Sequence, residues 1–108
     1  MYRTSREARP VEMMDGITRR TLTHGERMLL VEFTIRAGAV FPEHCHPYEQ
    51  TGYLVSGAGR LWIGQGSHAL APGSSWSIPA DVPHKAEFTR DSVALDIFSP
   101  VRRDYLDP

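Results

Sequence analysis

The sequence predicts an all-β fold made of short antiparallel strands. Apolar and polar residues alternate with a period of two in several short runs, as in strands that bury one face. Nine glycines and eight prolines occur in 108 residues, and most of them separate these runs. No longer stretch shows the apolar stripe of a core helix. Short strands divided by such turns are typical of a β-sandwich or barrel.

Five runs carry the strand pattern. They are residues 31–36, 51–56, 61–63, 75–78 and 93–98. In the first run Val31, Phe33 and Ile35 alternate with polar residues, which predicts one buried face. The third run is followed by a Gly-Gln-Gly turn signal. A short helix outside the core remains open over 12–20 or 102–107.

Length and charge restrict the classes of function. We expect a single domain, with an N-terminal arm or irregular strands over residues 1–27 and the body over residues 28–108. The formal net charge is −1, so the chain has no basic region for nucleic acid or a membrane surface. The N-terminus lacks the apolar run of a signal peptide, and Cys45 alone cannot form an internal disulfide. We therefore expect a cytoplasmic protein.

A histidine pair is the most informative local feature. His44 and His46 are two residues apart, so in an extended chain both imidazoles emerge on one face and can share a metal ion. Gln50 and His84 offer two further donor atoms. Cys45 points to the opposite face of such a strand and is not counted as a ligand. The alternative is that the pair consists of surface or structural histidines.

The residues around the pair match two known sequence motifs. The first is Gly38, His44, His46, Gln50 and Gly57, and the second is Gly73, Pro79, Asp81, His84 and Phe88. With these spacings, residues from about 28 to 98 resemble a small single-domain cupin of the RmlC-like superfamily. The resemblance implies a double-stranded β-helix, or jelly-roll barrel. Asp81 and Phe88 depart from the motif, which usually has Gly and Asn there.

The resemblance implies a metal centre. The family's ligands fall on His44, His46, Gln50 and His84, and they imply a divalent transition metal: Fe, Mn, Ni, Co or Zn. Gln50 stands where Glu is usual, and a neutral amide would leave the ion its full charge and make it a stronger Lewis acid. In the alternative, Gln50 is a structural amide and three histidines alone hold the ion.

Three positions suggest a pocket beside the metal. If Gln50 faces inward then so does Gly52, which either leaves space for a substrate or marks a bulge in the strand. Phe88 would be an apolar wall. Asp96 interrupts an apolar strand, which is costly unless the carboxylate is paired or functional. It either transfers a proton in the cavity or pairs with Arg102 or Arg103.

The C-terminal segment resembles that of small cupins of the pectin-degradation type, which linearise unsaturated uronates. The resemblance implies proton transfer by Asp96, an aromatic pocket residue at Phe98 and substrate carboxylate binding by Arg102. We therefore expect a small-molecule partner and a metal-dependent isomerase or ring-opening enzyme. The alternatives are a dioxygenase of a small enol or diketone, a ligand-binding cupin without catalysis and a polyketide cyclase. Tyr53 and Val55, which would face away from the metal, suggest a homodimer surface.

Overall fold

The computed structural model describes residues 1–107, which form ten β-strands and two short 3-10 helices. The strands are β1 (Pro10–Met14), β2 (Ile17–His24), β3 (Leu29–Ile35), β4 (Val40–His44), β5 (Glu49–Ser56), β6 (Gly59–Ile63), β7 (Gly66–Leu70), β8 (Ser75–Ile78), β9 (His84–Phe88) and β10 (Ser92–Ser99). The helices span Ser5–Glu7 and Arg103–Tyr105. Within residues 1–107, no helix has the length and apolar character needed to cross a membrane.

Two antiparallel sheets enclose the core. The six-stranded sheet has the order β1-β2-β3-β10-β5-β8, and the four-stranded sheet has the order β4-β9-β6-β7. Successive strands β3, β4 and β5 alternate between the two sheets, which is the crossing pattern of a jelly roll. The ends of β4 and β9 therefore lie opposite β5 and β10 across the barrel interior.

The period-two pattern sets which side chains enter the barrel. In β3, Leu29, Val31, Phe33 and Ile35 are buried, while the residues between them are at least partly exposed. In β10 the buried positions include Ala94, Asp96 and Phe98, so a carboxylate lies on an otherwise apolar inner face. Burying each large apolar side chain contributes roughly 1.5–3 kcal/mol to folding.

The all-β prediction is confirmed, and each of the five predicted runs lies in or overlaps an observed strand. Helix over 12–20 is wrong, because these residues form β1 and β2 around a turn at Gly16. Only one 3-10 turn forms within 102–107. Strands β1 and β2, inside the expected N-terminal arm, join the six-stranded sheet through β3. The division at residue 28 stays a prediction.

Candidate metal centre

Three histidines from two segments converge inside the barrel mouth. His44 ends β4 and pairs in register with His84, the first residue of β9. His46 follows two residues after His44, beyond the end of that strand. One ring nitrogen from each histidine lies within 4.8 Å of the others. His46 and His84 are buried, whereas His44 is exposed.

Backbone carbonyls orient all three rings. Each Nδ1 lies at hydrogen-bond distance from a carbonyl oxygen two residues away, and a carbonyl can only accept, so Nδ1 carries the proton. The acceptors are Pro42 for His44 (2.8 Å), Tyr48 for His46 (3.1 Å) and Val82 for His84 (2.9 Å). In this tautomer the lone pair of each Nε2 is available, which is the arrangement found in metal-binding histidines.

Two observations fit a cation between these rings. The Nε2 atom of His84 is buried and has no hydrogen-bond partner within residues 1–107. The Nε2 atom of His46 faces Oε1 of Gln50 at 3.0 Å, and in the tautomer fixed by Tyr48 both atoms are acceptors. A cation bound by both atoms would relieve the repulsion between two facing acceptors. His44, His46, Gln50 and His84 thus fit a divalent metal.

Burial keeps the inner rings uncharged. Desolvation lowers the pKa of His84 to about 4. Desolvation also lowers the pKa of His46, and the nearby Arg102 charge acts in the same direction. Near neutral pH both rings are therefore neutral, as a metal ligand must be.

Asp96 joins Gln50 to Trp76 in a buried hydrogen-bond network. Gln50 donates from Nε2 to Oδ1 of Asp96 at 2.9 Å, and Trp76 donates from Nε1 to the same oxygen at 2.9 Å. Because Gln50 uses its NH₂ group on Asp96, its amide oxygen is the atom that faces the histidines. The network therefore determines which end of the amide a cation would meet.

Burial changes the proton affinity of Asp96. The residue is only 4% exposed, and desolvation raises the pKa of Asp96 to about 7, although the hydrogen bonds from Gln50 and Trp76 oppose this rise. The alternative ion pair with Arg102 or Arg103 does not form among the described residues, because Arg102 pairs with Asp104 at 2.9 Å. Asp96 is thus a buried carboxyl group able to gain or lose a proton near neutral pH.

Gly52 does not leave the space for a substrate that the sequence suggested, and no bulge occurs at it. Gly52 pairs regularly with Asp96 on one side and with Trp76 on the other. A Cβ atom at this position would lie 2.1 Å from Nε1 of Trp76 and 2.3 Å from Oδ1 of Asp96. The volume freed by the glycine is filled by these two side chains, which meet above it.

Arg102 lies at the cavity among aromatic rings. Its guanidinium carbon is 3.8 Å from the ring centre of Tyr105 and 5.0 Å from those of Tyr48 and Phe98. The ion pair with Asp104 holds its charged end, and its side chain is mostly buried. A guanidinium fixed in this way retains further N–H donors for an anionic ligand.

The cavity that contains these groups has a volume of about 270 Å³. Its polar lining includes the three histidines together with Gln50, Asp96 and Arg102. Phe98 and Phe88 also line it, and the ring of Phe98 lies edge-on to His46, with their centres 5.7 Å apart. Gly52 is the one proposed pocket residue outside this lining.

Sequence reasoning missed Trp76, Tyr48 and Tyr105. Trp76 lies in the predicted run 75–78, but an aromatic residue in a strand gives no sign of its hydrogen-bond partner. The signal for Tyr48 was its place between two candidate ligands, His46 and Gln50. Asp81 has φ +65°, a conformation that favours glycine, which accounts for the usual Gly at this motif position.

The comparison with known families gives a clear match. A family model described as a cupin domain, Cupin_2, matches residues 31–98. The chain belongs to the Cupin_2 family. The matched range contains the three histidines, Gln50 and Asp96, and the two-sheet fold agrees with it.

Individual relatives place this cupin near pectin-degradation cupins. It is 28% identical over 97 residues to the pectin degradation protein KdgF of Dickeya dadantii (strain 3937), covering 88% of each chain. The structure of KdgF from Halomonas sp. has a TM-score of 0.92 and 30% identity, covering 98% of both chains. An RmlC-like cupin from Shewanella frigidimarina NCIMB 400 has a TM-score of 0.92 at 24% identity, covering 97% of this chain and 95% of its own, and shares the fold.

Proposed function

We propose that this cupin is a metal-dependent enzyme that linearises an unsaturated uronate or a similar small acidic enol substrate. The observation that carries the proposal is one cavity in which the histidine cluster, the buried carboxyl group of Asp96 and the guanidinium of Arg102 meet. The relatives named for pectin degradation support the same substrate class.

The metal would be held by His44, His46, Gln50 and His84, and Fe, Mn, Ni, Co and Zn all suit this donor set. When bound, a divalent ion supplies Lewis acidity toward substrate oxygen atoms. Since every donor in this set is neutral, the protein ligands cancel none of the ion's charge. This favours substrates that carry or develop negative charge.

Arg102 orients the substrate by its carboxylate. The guanidinium offers paired N–H donors that match the two carboxylate oxygens, and the stack on Tyr105 limits its motion. Phe98, beside both Arg102 and His46, gives this end of the cavity an aromatic wall. In this proposal the enol end of the substrate faces Asp96.

Asp96 moves the proton. Opening the hemiacetal ring breaks the bond between the ring oxygen and the hemiacetal carbon, and the hydroxyl proton leaves as the aldehyde forms. The ring oxygen leaves as an enolate, which becomes a ketone when its carbon gains a proton. Loss of one proton and gain of another balance, so no oxidant is consumed. A carboxyl group with a pKa near 7 can accept the first proton and donate the second.

The test uses the unsaturated uronate made by a polysaccharide lyase. Metal-loaded wild-type protein should accelerate the loss of enol absorbance over buffer, and Asp96→Asn should reduce the rate by about 10²-fold or more. Asp15→Asn, at an exposed carboxylate outside the cavity lining, should match the wild type. No acceleration by the wild type, or full activity of Asp96→Asn, would contradict the proposal.

The apolar part of the cavity favours a second candidate. Much of its lining consists of apolar side chains, namely Met13, Met14, Phe33, Ile35, Phe41, Leu61, Leu70, Ile78, Ala86, Phe88, Ala94 and Phe98. Such a lining suits the apolar ring of a diketone or polyketide better than a sugar. Oxygen uptake with a small diketone would support a dioxygenase, and anaerobic turnover of a polyketide would support a cyclase. Reversible binding without turnover would support a ligand-binding cupin.

We also propose that the protein acts in the cytoplasm on small molecules and forms a homodimer. Tyr53 and Val55 are each 47% exposed, and Ile97 is exposed on the neighbouring strand. These residues lie on the outer face of the six-stranded sheet, away from the cavity. They supply apolar area for a contact between two copies.

A further inference from the structure

One hydrogen bond in the barrel crosses an entire strand. Trp76 lies on β8 and Asp96 on β10, and β5 runs between them. Both residues are in register with Gly52 of β5. The indole N–H of Trp76 nevertheless reaches Oδ1 of Asp96 at 2.9 Å. The contact exists because the central residue has no side chain.

The packing around Gly52 indicates that the hydrogen bond between Trp76 and Asp96 requires a glycine at this position. An added Cβ at Gly52 would come within 2.1 Å of the indole nitrogen, within 2.2 Å of Cε2 of Trp76 and within 2.3 Å of the Asp96 carboxylate. Real Cβ atoms do not approach other heavy atoms so closely, so the indole or the carboxylate would have to move. Gly52 is not one of the glycines with a positive φ, so its backbone conformation does not explain why this position is a glycine.

The bond continues toward the metal centre. The oxygen of Asp96 that accepts from Trp76 also accepts from Nε2 of Gln50, and Oε1 of Gln50 then faces His46. An amide can rotate to exchange its oxygen and nitrogen, and the fixed carboxylate selects one of the two orientations. The order of the network is therefore Trp76, Asp96, Gln50 and the histidine cluster.

We propose that Trp76 and Gly52 form a positioning pair that fixes the Asp96 carboxylate and thereby presents the amide oxygen of Gln50 to the metal. Trp76 acts through Asp96 rather than on the substrate. This proposal rests on the metal site of the proposed function and adds two residues to it. Partners behind the direct ligands commonly contribute 10- to 100-fold to metal affinity.

The test measures metal affinity without any substrate. Trp76→Phe keeps an aromatic ring and removes the N–H donor. Titration of the metal-free protein with Ni²⁺ or Co²⁺ in a calorimeter should show affinity about 10-fold weaker than in the wild type. The visible spectrum of the Co²⁺-loaded variant should also change, because the Gln50 donor is no longer held. Trp62→Phe, at the other tryptophan of the chain and outside the cavity lining, should leave both readouts unchanged.

A second variant disrupts the same hydrogen bond by a substitution at Gly52. Gly52→Ala should lower metal affinity by a similar factor, and the double variant should be no weaker than either single variant, because both remove one interaction. Gly25→Ala is the matched control, since an added Cβ there meets nothing within 4 Å. Thermal unfolding of each metal-free variant identifies loss of fold separately from loss of metal binding.

The outcomes separate the two proposals. If the wild type binds metal and both Trp76→Phe and Gly52→Ala bind it equally tightly, the positioning role is overturned and the metal site stands. If the double variant binds metal more weakly than either single variant, by the sum of their effects, a shared action through Asp96 is overturned. If the wild type binds neither Ni²⁺ nor Co²⁺, the metal site fails and the positioning role fails with it.

Discussion

The Nε2 atom of His46 lies 3.0 Å from the Oε1 atom of Gln50, although each is a hydrogen-bond acceptor in the arrangement that its other contacts impose. The backbone carbonyl of Tyr48 accepts a hydrogen bond from Nδ1 of the imidazole, and the Asp96 carboxylate accepts one from the NH₂ group of the amide. A cation at this position converts a repulsive contact into coordination.

Metal binding should stabilise the fold through the histidine cluster. At a free metal concentration 100 times Kd, binding adds about 2.7 kcal/mol of stability, which corresponds to a rise in Tm of about 10 °C or more in a domain of this size. His84→Ala should abolish most of the rise. His68→Ala, at an exposed histidine outside the cluster, should retain it. A wild-type Tm that neither metal nor chelator changes would count against the site.

Exchanging the Gln50 amide for a carboxylate should change metal affinity and kcat in opposite directions. Gln50→Glu adds a negative charge to the ligand set and should tighten metal binding. It also removes the donor to Asp96 and brings two carboxyl groups together, so kcat should fall about tenfold or more. Gln65→Glu in the exposed β6–β7 turn is the control. If Gln50→Glu raised kcat, the neutral ligand set would not be the reason for activity.

The metal-free protein should show opposing pH effects from Asp96 and His84. Between pH 3.8 and about 7 the folded state keeps the Asp96 proton that the unfolded chain has lost, so stability from this group falls as pH rises. Between about pH 4 and 6.5 the unfolded chain binds a proton at His84 that the folded state does not, so stability rises with pH. The His84 slope opposes that of Asp96, and the lowered pKa of His46 adds to the His84 effect in the same direction.

Asp96→Asn should remove the pH dependence of stability that comes from Asp96 and leave the rise with pH that comes from the histidines. From pH 4.5 to 6.5, its free energy of unfolding minus that of the wild type should increase by about 1.4 kcal/mol per pH unit. Urea unfolding with a chelator present measures the difference, and Asp15→Asn provides the comparison at an exposed carboxylate. A difference that does not vary with pH would show that Asp96 titrates alike in the folded and unfolded chains.

Arg102→Lys should weaken recognition of the substrate carboxylate. A lysine cannot form the paired contact, and loss of one charge-assisted hydrogen bond costs about 1.5–3 kcal/mol, or roughly 10- to 100-fold in kcat/KM. The effect should appear mainly in KM. Arg103→Lys, at the neighbouring exposed arginine, should change little. Equal kinetics for the two variants would exclude carboxylate binding by Arg102.

The exposed apolar residues of β5 should mediate association. Val55→Lys places a charge on this face and should convert a dimer to a monomer, because an unpaired charge would be buried between the copies. Light scattering during gel filtration gives the mass. Ser67→Lys on the other sheet should remain dimeric. A monomeric wild type at high micromolar concentration would refute the homodimer.

Much of the fold follows from local patterns. The alternation from Val31 to Ile35 and from Val93 to Phe98 predicts strands with one buried face, and β3 and β10 show that pattern. The spacing of His44 and His46 predicts two rings on one side of the chain. Strands β1 and β2 could not be predicted in the same way, because the residues around Met13, Met14 and Arg19 show no clear periodicity. Pairing with neighbouring strands holds these residues in extended conformation.

The sequence by itself determined the strand content, the family motifs and the candidate ligands, since these depend on residue identity at short spacing. Only the tertiary structure decided that Asp96 bonds to Gln50 and Trp76 rather than to an arginine. It also showed that Gly52 accommodates that contact instead of a substrate. The reason is that β8, β5 and β10 are adjacent only after the sheet forms, and neither hydrogen bonds nor free volume between such distant residues leave a local pattern in the chain.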